Sequence, residues 1–386
     1  MTKVIPDNKS CLLPELHQWS SESIFFSGDE YFNDLINSLN SAKHTIEIEC
    51  YIFYQDDLGK QIITALIEAA NKGVEIKLII DGYGSLNWNM QQLLKLTDNG
   101  IEVKIFHPLP WRLSLYKKSI RQNNFINKFI YLFSRINKRD HRKLYIVDKT
   151  YVWSGSMNIA ASHLKQLNSN SVWFDCGVKV TGESVLELSD NFNEMWKRRI
   201  RYPNENKHLP FRTNENIIRR QHKNSELVNL IRTCNERVWI ISAYFAPSRK
   251  VVNALKKARL NKVDVKLFIS RNSDIVFFPM ISTTYYAELL KAGIEIYEHN
   301  KYIIHAKTVL IDNIAFVGSS NLNHRSFLHD LELDIILNHK TSLQKLVTES
   351  IQLMNDSDKI NQSTLINLPW YYRIMGKIIW RIRYWL

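Results

Sequence analysis

A chain of 386 residues, 45% hydrophobic and 23% charged, has the composition of a folded protein with a core, with room for two domains or one two-lobed one. Its formal net charge of +13 favours an anionic partner (nucleic acid, anionic lipid headgroups or a phosphorylated substrate) without choosing among them. The four cysteines, Cys11, Cys50, Cys176 and Cys234, form no CxxC pair and read as buried free thiols of a reducing compartment, which argues against a zinc site.

The lead, residues 1–21, lacks the apolar core of a signal peptide, and no stretch reaches the ~18 uncharged apolar residues that would span a bilayer. The remainder says the same thing twice. In the first repeat, 22–202, an apolar strand over Thr45–Tyr54 precedes ITALIEAANKGVEIKLII at Ile63–Ile80, a helical spacing followed by a β-branched run. In the second, 224–355, Val238–Phe245 precedes VNALKKARLNKVDVKLFI at Val252–Ile269. Each then continues through a helix and a glycine into another strand, Gly100–Phe106 and Gly293–Tyr297. The alternation predicts an α/β fold: two tandem αβ(α) repeats forming a pseudo-dimer, each with a mixed, mostly parallel sheet flanked by helices.

Gly100 lies farther from the first motif than Gly293 does from the second, which places an insertion at 109–139. It carries Arg112, Lys117, Lys118, Arg121, Lys128, Arg135, Lys138 and Arg139 among aromatic residues such as Trp111 and Phe125, a mixture suited to a membrane-facing or substrate-gating segment. The polar, basic stretch 203–223 reads as the linker between repeats. The tail, 356–386, ends in LPWYYRIMGKIIWRIRYWL, whose cations Arg373, Lys377 and Arg381 recur every four residues, as on an amphipathic interfacial helix.

Each repeat closes on one pattern: His141, Lys143, Asp148, then Gly155-Ser156-Met157-Asn158, and His305, Lys307, Asp312, then Gly318-Ser319-Ser320-Asn321. Residues i and i+2 of a strand share a face, so each histidine projects beside its lysine. A turn at the aspartate leads to a second strand, whose Gly-Ser end lets backbone approach a phosphate. One imidazole can attack phosphorus while the other protonates the leaving alkoxide. Lys143 and Lys307 would neutralise the non-bridging oxygens, with Asn158, Asn321, Ser156 and Ser319 as further phosphate donors. Asp148 and Asp312 belong to the motif, mainly as structural turn residues. No ligand cluster calls for a metal or another cofactor.

These paired HxKx4D…GSxN motifs resemble those of the phospholipase D superfamily, and the chain is most similar to short-type bacterial cardiolipin synthases. Supporting residues include Glu49-Cys-Tyr51, Tyr244-Phe-Ala-Pro247, Trp173-Phe-Asp175 and Arg325-Ser326-Phe327. The resemblance implies that His141 is the nucleophile and His305 the acid/base. It also implies a histidine-orienting carboxylate downstream of each motif, for which Asp175 and Glu332 are the candidates. The expected activity is a phosphatidyl transfer through phosphohistidine, making cardiolipin from two phosphatidylglycerol molecules and releasing glycerol. Alternatives are a hydrolase yielding phosphatidic acid and, further off, a nuclease of the superfamily. The expected partner is an anionic phospholipid membrane containing phosphatidylglycerol, met peripherally at its cytoplasmic face, with no nucleic acid partner. Departures from the pattern are Asn323, where relatives often have aspartate, Ser154-Gly155, where many have two glycines, and a second motif one residue shorter between aspartate and glycine.

Overall fold

The computed structural model describes residues 18–118, 135–166, 173–197 and 209–367, and in the tail Tyr372, Met375, Gly376, Ile378 and Ile379. The first half runs β1 (Ser21–Phe25), α1 (Gly28–Ser41), β2 (Thr45–Cys50), α2 (Asp57–Asn71), β3 (Glu75–Asp81), α3 (Met90–Asp98), β4 (Glu102–Phe106), β5 (Lys143–Val147), β6 (Tyr151–Gly155), β7 (Gly177–Thr181) and α4 (Ser184–Lys197). The second half runs β8 (Phe211–Thr213), α5 (Ile217–Thr233), β9 (Arg237–Ser242), α6 (Arg249–Leu260), β10 (Asp264–Ser270), α7 (Phe278–Lys291), β11 (Glu295–His299), β12 (Lys307–Ile311), β13 (Ile314–Gly318), α8 (His324–Leu328), β14 (Leu333–Leu337), α9 (Lys340–Asn355), β15 (Asp358–Ile360) and α10 (Gln362–Ile366).

The repeated helices form for visible reasons. Asp56 caps α2 by accepting the Gly59 N–H at 3.0 Å, and Leu58, Ile62, Ala65, Leu66 and Ala69 bury one face. Ser248 caps α6, which buries Val251, Val252, Leu255 and Ala258. Burying each such Leu or Val side chain stabilises by about 1.5–3 kcal/mol, more than a helix cap supplies.

The sheets have the orders β1-β7-β6-β5-β2-β3-β4 and β15-β11-β10-β9-β12-β13-β14-β8. They are mixed, as expected, but antiparallel pairings outnumber parallel ones. Only β2–β3–β4 and β9–β10–β11 run parallel, because helices cross between those strands. The motif strands return by hairpins, β5–β6 and β12–β13, and pair antiparallel to β2 and β9.

One face of each sheet turns toward the other half. Leu144, Ile146, Val152 and Val178 share a core with Ile241, Leu310, Val317 and Ile335. The opposite faces pack under each half's own helices. The stretch read as a linker differs from that expectation. Its end holds β8, whose residues 211–213 pair with β14 and complete the second sheet, and the start of α5.

The insertion forms a 3-10 turn at Leu113–Lys118, and residues 119–134 lie outside the described residues. Trp111 and Leu113 are exposed. Arg139, expected among the basic surface residues, is instead 1% exposed: it donates to His107 O at 2.8 Å and lies 3.6 Å from Asp81. In the tail, the Gly376 backbone sits against the Met280 carbonyl of α7 so closely that an added Cβ would lie 2.4 Å from it. Ile379 packs on the second-half core, while Met375 and Ile378 stay exposed.

Candidate active site

The two motifs meet where the halves exchange backbone hydrogen bonds. His141 N–H donates to Leu331 O at 3.0 Å, and Leu331 N–H to Arg139 O at 2.8 Å. On the other side Phe174 N–H donates to Ile303 O, and His305 N–H to Phe174 O, each at 2.8 Å. These short bridges pair Asp140 with Leu331 and Phe174 with Ile304. The next residue on each strand therefore lands beside its counterpart: His141 beside Glu332, and Asp175 beside His305.

The side chains complete crossed pairs. His141 Nδ1 is 3.1 Å from Glu332 Oε2 and 3.1 Å from Ser319 O. His305 Nδ1 is 3.0 Å from Asp175 Oδ1. The resemblance implied that each carboxylate follows and serves its own motif's histidine. The structure pairs each with the histidine of the other half, because the bridging strands come from opposite repeats. With Nδ1 engaged, Nε2 is the ring nitrogen left for substrate.

Lys143 and Lys307 are buried and donate to the carbonyls of His141 (2.7 Å) and His305 (2.5 Å). Tyr51 and Tyr244, just past β2 and β9, stand over them at 5.3 and 5.8 Å, and the Tyr51 ring meets His141 edge-on at 4.8 Å. Arg142, between His141 and Lys143, points to the opposite face. Buried there, it binds Asp140, Glu49 and Glu215 at 2.9, 2.6 and 3.2 Å. The corresponding Ala306 packs in the shared core.

The serines differ from expectation. Ser156 Oγ donates to Asp175 Oδ1 at 2.5 Å, and Ser319 Oγ to Glu332 Oε2. A hydroxyl has one hydrogen to give, and here the carboxylates take it, so these serines brace the crossed pairs and are not free phosphate donors. The glycines differ too. A Cβ on Gly155 would lie 2.4 Å from Cys176 O, and one on Gly318 2.2 Å from Leu333 O. The missing side chains thus make room for the strands that deliver Asp175 and Glu332, not for a phosphate. Asn158 and Asn321 are buried in the site, and among the described residues the Oδ1 of each has no hydrogen-bond partner.

Asp148 and Asp312 lie away from this centre. Asp148 accepts the N–H groups of Lys43, His44 and Thr45 at 2.9, 2.7 and 3.0 Å. Asp312 does the same for Asn235, Glu236 and Arg237. Each pins its hairpin turn to the start of the neighbouring strand. The one-residue difference between motifs falls in these turns: Val147 pairs with Tyr151, but Ile311 with Ile314. Ser156 and Ser319 therefore reach equivalent places.

The electrostatics fit an anion-binding centre. His141 is pushed down to about 4 by burial and by Lys143, against the opposing pull of Glu332. Burial and Lys307 push His305 down as well. Burial and the Lys307 charge lower Lys143 to about 7, and burial lowers Lys307 to about 8. Burial raises both carboxylates, but the neighbouring histidines, joined at Glu332 by Lys223 and Ser319, together outweigh it, holding Glu332 at about 2 and Asp175 well below the ordinary range. The described residues contain no group of three or more His, Cys, Asp or Glu able to hold a metal ion.

Residues without a prior role also converge here. His163 Nδ1 is 2.7 Å from Asp175 Oδ2, and Ser326 Oγ donates to Glu332 Oε1 at 2.6 Å. Trp173 lies 5.0 Å from the His305 ring, centroid to centroid. The signal for the first two was their equal distance from the motif asparagines, five residues on.

Two sheet-and-helix repeats sharing one site of paired histidines and lysines define a protein of the phospholipase D type. A family model described as "Cardiolipin synthase, PLD-like domain" matches residues 35–196 and 227–354, and the chain belongs to that family. It is thereby a phosphatidyltransferase-type enzyme of the phospholipase D superfamily. Relatives include the cardiolipin synthase of Alkalihalophilus pseudofirmus, 29% identical over 92% of this chain and 71% of the relative. That of Clostridium perfringens is 31% identical over 81% of this chain and 66% of the relative. Among solved structures, phosphatidylserine synthase from Haemophilus influenzae shares the fold with a TM-score of 0.68 at 14% identity, covering 97% of this chain and 96% of that one.

Proposed function

We propose that this enzyme makes cardiolipin from two molecules of phosphatidylglycerol. His141 Nε2 attacks the phosphorus of the first, forming an N–P bond as the bond to glycerol breaks. His305, protonated, gives its proton to the departing alkoxide, and glycerol leaves. The hydroxyl of the second phosphatidylglycerol then loses its proton to His305 and attacks phosphorus. The N–P bond breaks, cardiolipin forms, and both rings return to their starting states.

The observation that carries this reading is the crossed arrangement of His141–Glu332 and His305–Asp175 around two buried lysines. It presents two oriented imidazoles to one phosphate. The lowered His141 leaves a neutral nucleophile at pH 7. The anionic phosphodiester draws protons back onto His305 and the lysines when it binds, supplying the acid when it is needed. The relatives named as cardiolipin synthases support the choice of lipid.

The same reading includes peripheral binding to the cytoplasmic face of an anionic membrane, with phosphatidylglycerol and not nucleic acid as the partner. The charge of +13, the exposed Trp111 and Leu113, and the exposed Met375 and Ile378 of the tail support it. Among the described residues no helix is long and apolar enough to cross a membrane.

The test is lipid analysis after incubation with phosphatidylglycerol liposomes, beside His141→Ala and His305→Ala. Cardiolipin and glycerol, lost in both variants, are expected. Phosphatidic acid alone would make the enzyme a hydrolase. Cleavage of added DNA or RNA with no lipid turnover would overturn the substrate class.

A further inference from the structure

A third histidine lies within the site's framework, outside both motifs. His163 is 2% exposed and ends the 3-10 turn Ala161–His163. That turn is anchored by the Ala161 N–H, which donates to Asp56 Oδ2 at 2.6 Å. We propose that His163 is a positioning residue that holds Asp175, so that Asp175 in turn fixes the ring of His305 for proton transfer. The proposal rests on the reading of His305 as the acid/base.

The hydrogen bonds define what His163 can do. Its Nε2 accepts the backbone N–H of Asn158 at 3.2 Å. In a neutral ring the proton then sits on Nδ1, which lies 2.7 Å from Asp175 Oδ2 in a close but oblique approach. Nε2 accepts from backbone and Nδ1 faces a carboxylate, so the ring is placed to orient Asp175 rather than to attack phosphorus. The other oxygen of the same carboxylate, Oδ1, serves His305 at 3.0 Å and Ser156 at 2.5 Å. Asp175 thus meets a histidine at each oxygen: His163 lies against Oδ2, and His305 hydrogen-bonds to Oδ1.

The second repeat builds the same relay from different parts. Ser326 follows Asn321 by the interval at which His163 follows Asn158. Its Oγ accepts the Asn321 N–H at 3.1 Å and donates to Glu332 Oε1 at 2.6 Å, while Glu332 Oε2 serves His141 and Ser319. The lengths compensate: a long imidazole meets the short aspartate, and a short hydroxyl meets the longer glutamate. In both repeats the chain runs from the motif asparagine's backbone through a relay side chain and a carboxylate to the opposite half's histidine. That shared logic separates His163 from an ordinary core histidine.

Around His305 the facing groups are Asp175, His163 and Trp173 from the first half, and Lys307 and Tyr244 from its own. Among the described residues only Asp175 offers an acceptor to Nδ1, so loosening Asp175 frees the ring to change tautomer.

The experiment compares wild type, His163→Ala, His163→Ser and the double variant His163→Ser/Asp175→Glu. It measures kcat and KM with phosphatidylglycerol liposomes, counting all phosphatidyl products, and the nitrogen-15 NMR signature of the His305 ring at pH 7. Both single variants are expected to lose kcat by ~10- to 100-fold, the usual cost of removing an outer partner of an oriented histidine, with KM nearly unchanged. Their His305 signal changes from one tautomer, protonated on Nδ1, to a mixture. The double variant, which copies the Ser326–Glu332 arrangement, recovers both kcat and the single tautomer. A folded His163→Ala with kcat within twofold of wild type, an unchanged His305 tautomer, or a double variant no better than His163→Ser would overturn the proposal. Phosphatidic acid as the wild-type product would overturn the synthase reading alone, leaving the comparison among variants intact.

Discussion

Lys143 shows what the site costs the fold. It is wholly buried, and burial with the neighbouring Lys307 charge lowers it to about 7. A lysine lowered on folding binds its proton more tightly in the unfolded chain, so it destabilises the native state. That penalty is complete below about pH 7 and fades as the pH rises through the ordinary lysine value of 10.5. Lys143→Met is therefore expected to abolish transfer yet raise Tm, by roughly a few °C at pH 6 and by less at pH 10. Scanning calorimetry at the two pH values checks it; a lower Tm at pH 6 would contradict the account. The motif residues themselves were legible, because two copies of His, Lys, Asp and Asn at matched positions in one chain demand a common cause. The serine and glycine roles were not. Their contacts, Asp175 with Ser156 and Cys176 O with Gly155, involve residues some twenty positions away, where no local pattern reports them.

At the scale of elements, the repeated strands and helices followed from periodicity. The orientation of the motif strands did not. The turns at Asp148 and Asp312 were legible, but the antiparallel pairing of β5 with β2 and of β12 with β9 is long-range, and the apolar runs do not report it. The tail is an element with two faces: Gly376 and Ile379 pack on the second half, while Met375 and Ile378 point outward. Deleting residues 368–386 is expected to weaken flotation with anionic liposomes severalfold while lowering Tm by only a few °C, since each cation near an anionic leaflet contributes about 1 kcal/mol. Equal flotation of the truncated and full-length proteins would rule out the tail as an anchor.

The whole molecule explains why one chain carries both motifs. Each histidine takes its carboxylate from the other half, so neither half contains a complete site. The shared core of Leu144, Ile146, Ile241 and Leu310 holds the two in register, and Arg142 reaching Glu215 ties them further. The repeat was plain in the sequence, but the crossing was not. It depends on bridges such as Phe174 to Ile304, formed only when the repeats face each other. Histidine NMR can read the crossing directly. Glu332→Gln is expected to perturb the His141 ring and leave His305 nearly unmoved, and Asp175→Asn to do the reverse. The opposite pattern would mean uncrossed pairs.

On the proposed mechanism the phosphatidyl group passes through His141. Phosphatidylglycerol labelled at phosphorus should, on rapid quenching, leave an acid-labile, alkali-stable label on the peptide containing His141, absent from His141→Ala. Label on His305, or none on any histidine during active turnover, would contradict the mechanism.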